Sequence, residues 1–452
     1  MKRPVKIIVV GGNAAGPAAA ARAKRFNPNA DVTLYEESEY ISTGTCEIPY
    51  VISGEIDDYR KIIFFSPSSF QKEKGVEVYV KHTVEKIDTK KKQITIKNIL
   101  EDKITNCDYD RLILATGSRA KVIPGFNTQL KNVFTLKNIS DLNRIKDVIS
   151  KERASKAIVI GAGYIGLEAV ESLAKNNIRV HLIERESKPL PGSDEEFRDE
   201  ILKTLHRNKI EFSSNAQDLE PVISDDRVLG VSLGKKIIET DLVIISVGFE
   251  PATYLATSAK IEIGKSGAIK IDNYARTSER YVYAAGDNVE LINAVSGKAE
   301  YIPLATHAYE LGQVAGENSA GGNVKYESFV KNISLKVFDK FFVTVGLSTA
   351  EAHKNGFAVI ESFAKVKYLV SIMPGSDYLI VKVLADKNSM RIIGGSFLGG
   401  EEVSGYADLL SALIKLKTPA SILSKLNYNY TPPLSPFINP LKIIGKKLSE
   451  KF

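Results

Sequence analysis

The sequence predicts an α/β protein built from two units of strand, glycine turn and helix, followed by a region of α+β type. Three observations carry this expectation. Two short β-branched runs, Lys6–Val10 (KIIVV) and Ala157–Ile160 (AIVI), each enter a glycine-rich turn that opens a strongly helical segment. At 452 residues the chain is too long for one core and suggests about three domains. From Phe329 onward the pattern changes to short alternating strands interrupted by helical stretches.

The first unit runs from Lys6–Val10 through GGNAAG (Gly11–Gly16) into the helix former PAAAARAKRF. Strand, glycine turn and helix form the context of a Rossmann-like dinucleotide fingerprint. Gly11 allows the tight turn, and Gly16 lets the helix pack closely on the strand. The small Ala14 and Ala15 keep the approach to the turn open. Asn13 stands where the middle glycine is expected, a departure from the pattern. Asp31–Tyr35 reads as the second strand, ending at Glu36 and Glu37. Glu36 lies about 20 residues past the last glycine, where an acid binds a ribose hydroxyl.

Next comes YISTGTCEIPYVISG (Tyr40–Gly54), which holds one of only two cysteines in the chain. Ser42, Thr43, Gly44 and Thr45 open a helix, Pro49 suits its first turn, and Ile48, Val51 and Ile52 follow at helical spacing. Cys46 is therefore expected near a helix N-terminus, where the dipole favours a thiolate, the form that acts as nucleophile. A small buried hydrophobe is the other reading, and the local sequence leaves both open.

From Val76 to Ile96 the runs VEVYV, VEKID and QITI alternate and read as a β-meander. Arg111–Gly117 (RLILATG) reads as a buried strand ending in Thr116 and Gly117, whose small size lets backbone approach a ligand. Cys107, in the polar stretch TNCDYD, has nothing nearby to activate it and reads as structural.

The second unit is complete: GAGYIG (Gly161–Gly166), the helix LEAVESLAKN, and the strand RVHLIE ending at Glu184. Two such units separated by a meander imply two cofactors exchanging electrons, typically a flavin and a nicotinamide. Glu184 favours NADH because a carboxylate repels a 2′-phosphate. Arg185 beside it keeps NADPH open. Glu168, on the helix after the turn, is either a surface residue or faces the nicotinamide. Asp241–Gly248 (DLVIISVG) closes this unit as a buried strand. Tyr281–Asp287 (YVYAAGD) ends in an acid placed to reach a ribityl hydroxyl, with a generic turn as the plainer alternative. Tyr301–Gly321 reads as a helix entered by a turn, its N-terminus suited to a flavin ring edge. His307 within it reads as a packed residue.

In the third region SLKVF, FFVTVG, YLIVKVLA and MRIIGGSF are expected strands, with helices at Thr349–Asn355 and Tyr406–Leu416. Its expected role is dimerisation. The tail Tyr428–Asn439 (YNYTPPLSPFIN) is rich in proline, which forbids regular structure. Its tyrosines either pack at the terminus or reach a partner's active site as hydroxyl donors. The last residues, IIGKKLSEKF, read as a fraying surface helix.

Composition excludes other classes. With 44% hydrophobic and 25% charged residues this is an ordinary globular chain, and no apolar run is long enough to cross a bilayer. Two cysteines give no disulfide framework and suggest a reducing, cytoplasmic compartment. The net charge of +7 is spread along the chain, which speaks against nucleic-acid binding and suits an anionic cofactor or substrate. No metal site is expected.

The motifs GGNAAG, S-x-x-x-C-x-x-P-Y from Ser42 to Tyr50, ATG at Ala115–Gly117, GAGYIGLEA, AAGD at Ala284–Asp287, PLA at Pro303–Ala305 and YTPPLSP cover the chain end to end. With them it resembles the FAD-dependent pyridine nucleotide–disulfide oxidoreductases. Within these it is similar to the single-cysteine branch of coenzyme A-disulfide reductases, NADH oxidases and NAD(P)H-dependent polysulfide or persulfide reductases. The resemblance implies FAD-bound homodimers, with the redox cysteine at Cys46 and a C-terminal tyrosine from the other subunit at Tyr430. It implies FAD contacts at Gly11, Ala14, Ala15, Gly16, Glu36 and Ser42. Further FAD contacts would come from Val84, Thr116, Gly117, Asp287, Leu304 and Ala305. NAD(P)H would lie on Gly161, Gly163, Tyr164, Ile165, Glu168, Glu184 and Gly248. The implied division is an FAD-binding domain at 1–120 and 246–325, an NAD(P)H-binding domain at 121–245, and a dimerisation domain at 326–452.

Four departures refine this expectation. Val51 stands where the two-cysteine branch has its second cysteine, which excludes an internal disulfide. Ala14 replaces the histidine of peroxidases and water-forming oxidases. Thr45 replaces the asparagine that usually precedes the cysteine in thiol–disulfide members. Ile372 and Met373 replace aromatic residues before Pro374–Gly375, and these last two changes weigh against coenzyme A itself as substrate. The expected chemistry is reduction of a small sulfur substrate, coenzyme A-linked or not, by NADH or NADPH through FAD and Cys46. An NADH oxidase, or a redox sensor donating electrons to a protein partner, is the alternative.

Overall fold

The computed structural model describes residues 3–452. The first unit is a five-stranded parallel sheet in the order Val282–Ala284, Arg111–Leu114, Lys6–Val10, Asp31–Tyr35, Glu77–Tyr79. Its central strand is apolar throughout because both of its faces are covered: Ile7, Ile8 and Val9 are fully buried in a core shared with the helices Ala15–Phe26 and Ala305–Ser319 and with the meander residues Val84, Ile87, Ile94 and Ile96. The helices Ala15–Phe26 and Ala305–Ser319 cross closely. A Cβ on Gly312 would stand 2.5 Å from the Ala15 carbonyl oxygen, so small residues set that approach.

The second unit repeats the plan: Val133–Phe134, Leu242–Ile245, Lys156–Ile160, Arg179–Ile183 and Glu211–Ser213, all parallel. An antiparallel three-stranded sheet, Leu219–Ser224, Arg227–Leu233 and Lys236–Glu239, is appended to it. The third region is a five-stranded antiparallel sheet, in the order Asn332–Val337, Lys340–Gly346, Ile392–Gly399, Tyr378–Asp386, Val359–Lys367. The expected fold class is borne out.

Three local expectations are corrected. Glu77–Tyr79 does not belong to the meander but forms the edge of the first parallel sheet, with Thr33 opposite Glu77. The meander is His82–Asp88, Gln93–Asn98 and Lys103–Asp108. Its last strand is solvent-exposed almost throughout, so it carries no apolar alternation to be read. The strand Val359–Lys367 was not expected; at the sheet edge only Ser362 and Ala364 are fully buried along it. Finally, Pro440–Ser449 is a packed helix, not a fraying one: Leu441, Ile444 and Leu448 are fully buried against Leu423 and the antiparallel sheet. Tyr428–Asn439 has neither helix nor strand, as its prolines imply. Among the described residues no helix is long and apolar enough to cross a membrane.

Candidate active site

Each glycine turn is closed by the acid at the end of the following strand. In the first unit Gly11 adopts φ 112°, and a side chain on it would collide with the Ala115 carbonyl. Gly12 N donates to Glu36 Oε2 at 2.5 Å, and Ser38 N to Glu36 Oε1 at 2.8 Å. In the second unit Ala162 N donates to Glu184 Oε2 at 2.6 Å and Glu186 N to Glu184 Oε1 at 2.9 Å. Neither helix that follows is capped by a side chain at its N-terminus, and neither has an acid in its first turn. The free first-turn amides suit the pyrophosphate of a dinucleotide. A Cβ on Gly163 or Gly248 would meet nothing within 4 Å, so both face open space. The residues present therefore fit two dinucleotides.

Ala14 carries a strained backbone, φ 33° and ψ −83°, at the head of the first helix. Ala15 is buried between strand and helix. Val84 is buried in the first core, so any contact it offers a cofactor is through its backbone. Gly117 adopts φ 67° with open space beside it. Thr116 is tied into the framework instead: its hydroxyl donates to the Ala252 carbonyl at 2.6 Å and accepts from Asn288 Nδ2 at 3.1 Å. Leu304 and Ala305 open the helix Ala305–Ser319 without a side-chain cap, and Ala305 is exposed. Tyr164 and Ile165 begin the second helix half-buried, with Tyr164 packed at 6.4 Å from the Phe342 ring.

The cysteine loop hangs from the first glycine turn. Ser42 N donates to the Gly12 carbonyl at 2.8 Å, and Thr43 N donates to Asn13 Oδ1 at 3.0 Å. The asparagine that breaks the glycine pattern thus positions the strand leading to Cys46. A 3₁₀ turn, Thr45–Glu47, then enters the helix Ile48–Ile52, with Pro49 in its first turn. Ile48, Pro49, Val51 and Ile52 are buried, which turns Cys46 outward into an open cleft. Both cysteines are free, and Val51 points into the core.

The electrostatic expectation for Cys46 is corrected. The helix it precedes has only five residues, and the 3₁₀ turn intervenes. Desolvation in the cleft and the carboxylates of Glu47, Glu168 and Asp287 push the thiol up, while Lys137 pulls it down. Lys137 is the charged neighbour of this cysteine that the sequence did not single out. Its Nζ donates to Ser118 Oγ at 2.8 Å, Ser118 Oγ donates to Asp287 Oδ2 at 3.1 Å, and Nζ lies 3.8 Å from that carboxylate. The Nζ also sits 4.4 Å from the centre of the Phe249 ring. Burial lowers the lysine's own pKa. Its sequence, KNIS before a helix, gives no signal of this.

Glu168 settles between its two readings: it is not a free surface residue. Burial, reinforced by Glu171, raises its carboxyl to about 7. His307 is packed, as expected, with Nδ1 3.1 Å from the Tyr326 hydroxyl and its ring 5.3 Å from that of Phe329. Cys107 lies on the meander's outer strand, 4.0 Å from the Tyr35 hydroxyl, away from this cluster. Tyr430 stands on the surface, edge-on to Phe437 at 5.2 Å, in a tail that also exposes Leu434 and Ile438.

Comparison with known proteins gives matches along the whole chain. The family described as pyridine nucleotide-disulphide oxidoreductase matches residues 5–312, and its dimerisation domain matches residues 334–440. The chain is 30% identical over 444 residues to an NAD(P)H sulfur oxidoreductase (CoA-dependent) of Pyrococcus abyssi, covering 98% of each. It is 29% identical to an NADH oxidase of Methanocaldococcus jannaschii, covering 99% of this chain and 100% of that one. Among solved structures, an NAD-dependent persulfide reductase from A. fulgidus superposes with a TM-score of 0.95 at 30% identity, over 99% of this chain and 83% of that one.

Proposed function

The chain belongs to the pyridine nucleotide-disulphide oxidoreductase family, and from that premise we propose that it reduces a small disulfide, persulfide or polysulfide with NAD(P)H through Cys46. The enzyme is an FAD-dependent NAD(P)H oxidoreductase. The observation that carries the substrate class is the arrangement of a single outward cysteine, with no second sulfur in reach, in a cleft shared by Asp287, Lys137 and Glu168.

FAD would be held by the first glycine turn, Glu36, Ser42, Gly117, Asp287 and the open helix terminus at Leu304–Ala305. NAD(P)H would be held by Gly161–Gly166, Glu184 and Gly248. When bound, FAD accepts the hydride of NAD(P)H and returns two electrons to sulfur. Both oxygens of Glu184 are already engaged by backbone amides, so its charge is fixed where a 2′-phosphate would come. This supports NADH over NADPH.

The Cys46 thiolate attacks one sulfur of the substrate, a mixed disulfide forms, and the other sulfur leaves as a thiolate. Tyr430 of a second copy of the chain donates the proton to that leaving group. Two electrons then cleave the mixed disulfide, which restores the Cys46 thiolate and releases the second sulfur as a thiolate that takes its proton from solvent. A homodimer is supported by the matched dimerisation domain and by the apolar tail around Tyr430. We assign FAD binding to 1–120 with 246–325, NAD(P)H binding to 121–245 and dimerisation to 326–452. Pairing of Val282–Ala284 with Arg111–Leu114 supports the discontinuous first domain. Two free cysteines suit a reducing, cytoplasmic compartment.

The test is Cys46→Ser. Disulfide reduction disappears while NADH still bleaches the flavin; retained disulfide turnover overturns the assignment. An NADH oxidase is the second reading, favoured by the relatives of that name and by the raised Cys46 thiol. Unchanged oxygen uptake in Cys46→Ser, with no disulfide reduced by the wild type, would select it.

A further inference from the structure

The helix that follows Cys46 has only five residues, Ile48–Ile52, and is too short to be stable by itself. At its start Ile48 N donates to the Thr45 carbonyl, so the turn that carries Cys46 runs straight into the helix. At its end the next few residues close three carbonyls. Ser53 N donates to the Pro49 carbonyl at 2.9 Å, Ile56 N to the Tyr50 carbonyl at 2.9 Å, and Gly54 N to the Val51 carbonyl at 3.4 Å. Among the described residues the carbonyl of Ile52 has one partner, Asn176 Nδ2 at 2.7 Å, from 124 positions away. Ile52 is buried, so little water is at hand to replace that donor. The same Nδ2 donates its second hydrogen to the Ser172 carbonyl at 2.9 Å. Asn176 caps the end of the helix Tyr164–Lys175, which starts at the glycine turn assigned to NAD(P)H. One amide group thus closes two helices. Their packing agrees: Ile48, Val51 and Ile52 share one core with Leu167, Val170 and Leu173, and Glu55 beyond the cysteine helix pairs with Lys175.

We propose that Asn176 is a positioning residue for Cys46: by holding the Ile52 carbonyl it fixes the cysteine helix, and the sulfur ahead of it, to the NAD(P)H-binding unit. The proposal rests on the disulfide-reductase reading. In sequence Cys46 lies in the segment assigned to FAD, yet the end of its helix is anchored on the other nucleotide unit. Asn176 acts through that helix and touches neither the sulfur nor the substrate. Without the bridge one end of a five-residue helix is released, and a shift of about 1 Å at a reacting atom can slow a reaction about 100-fold. Helix capping alone does not call for this bond. Asn208 caps the helix Glu195–Arg207 with nearly the same backbone, φ −90° and ψ 14° against φ −87° and ψ 16° at Asn176. Its Nδ2 donates to the Thr204 carbonyl at 2.9 Å, as Asn355 Nδ2 does to the Glu351 carbonyl. Of the three asparagines, Asn176 alone reaches a second helix.

The experiment separates the two half-reactions of the flavin-loaded enzyme by anaerobic stopped flow. The first is bleaching of the flavin by NADH. The second is its reoxidation by coenzyme A disulfide, cystine or inorganic polysulfide. Asn176→Ala removes both bonds. Asn176→Ser keeps the local one, because a serine at a helix end bonds the carbonyl four residues back, as Ser150 does to Lys146 at 2.7 Å. Its single hydrogen then leaves Ile52 without a donor. Both variants should bleach at close to the wild-type rate and reoxidise about 10- to 100-fold more slowly. Asn208→Ala, which loses a cap bond and no bridge, should change neither step. Wild-type reoxidation in Asn176→Ala or Asn176→Ser overturns the proposal. Equal slowing of both half-reactions, the same loss in Asn208→Ala, or loss of fold and flavin in both Asn176 variants also overturns it, because each reduces Asn176 to a structural cap. If Asn176→Ala alone fails to fold, Asn176→Ser decides. A wild-type flavin that none of the three sulfur compounds reoxidises overturns the functional reading instead.

Discussion

Glu184 Oε2 accepts the amide of Ala162 at 2.6 Å, so the acid at the end of one strand holds the glycine turn at the end of its neighbour. The same bond joins Glu36 to Gly12 in the first unit. These acids shape their turns before they meet any ribose.

The kinetic consequence is that Glu184→Ala loses two charge-assisted hydrogen bonds as well as the charge that disfavours a 2′-phosphate. KM for NADH should rise by about tenfold or more, at about 1.5–3 kcal/mol for each such bond. The preference for NADH over NADPH should shrink. Steady-state kinetics with both nucleotides check this, and unchanged values would mean that the turn is held by other contacts.

Lys137 is the cation that pulls the Cys46 thiol down against burial and three carboxylates. Lys137→Met should therefore raise the thiol's pKa and slow iodoacetamide alkylation of Cys46 at pH 8 by several-fold. The pH dependence of that rate measures the shift. Asp287 would be left with Ser118 as its remaining partner in the cluster.

Glu168 also makes stability depend on pH. Its carboxyl is raised from 4.5 to about 7 on folding, so the folded chain binds this proton more tightly than the unfolded chain. The resulting stabilisation is complete below pH 4.5 and is lost as pH rises through 7. Glu168→Gln does not titrate, so relative to wild type it should gain on the order of 2 kcal/mol between pH 5 and pH 8. Urea denaturation at the two pH values gives the difference, and the opposite sign would mean that the carboxylate is stabilised in the fold.

The C-terminal helix supplies a packing test. Leu448 is fully buried, so Leu448→Ala should cost about 2–5 kcal/mol. Lys442, exposed on the same helix, should tolerate alanine within about 0.5 kcal/mol. A small cost at Leu448 would restore the fraying helix expected from the sequence.

Expectation and structure agree where the signal is contiguous. The strands Lys6–Val10 and Asp31–Tyr35 have the bounds read from the sequence, because a buried parallel strand must be apolar along its whole length. They part at edges. Glu77–Tyr79 alternates like a meander strand, and alternation cannot say which sheet a strand joins. Val359–Lys367 lies at an edge where few positions are buried, so its pattern is faint.

By itself, the sequence determined that there are two glycine turns with an acid in register for each, a lone cysteine ahead of a short helix, and an α+β region after them. Each is written in adjacent residues, where local sterics and periodicity suffice. Only the tertiary structure decided the electrostatics of the cleft. Ser118 meets Lys137 across 19 positions and Asp287 across 169, and no local rule joins residues so far apart. Burial gave the carboxyl of Glu168 a pKa of about 7 and raised the thiol that the helix terminus alone would have lowered. Desolvation and the meeting of distant charges are properties of the assembled surroundings, which no run of adjacent residues encodes.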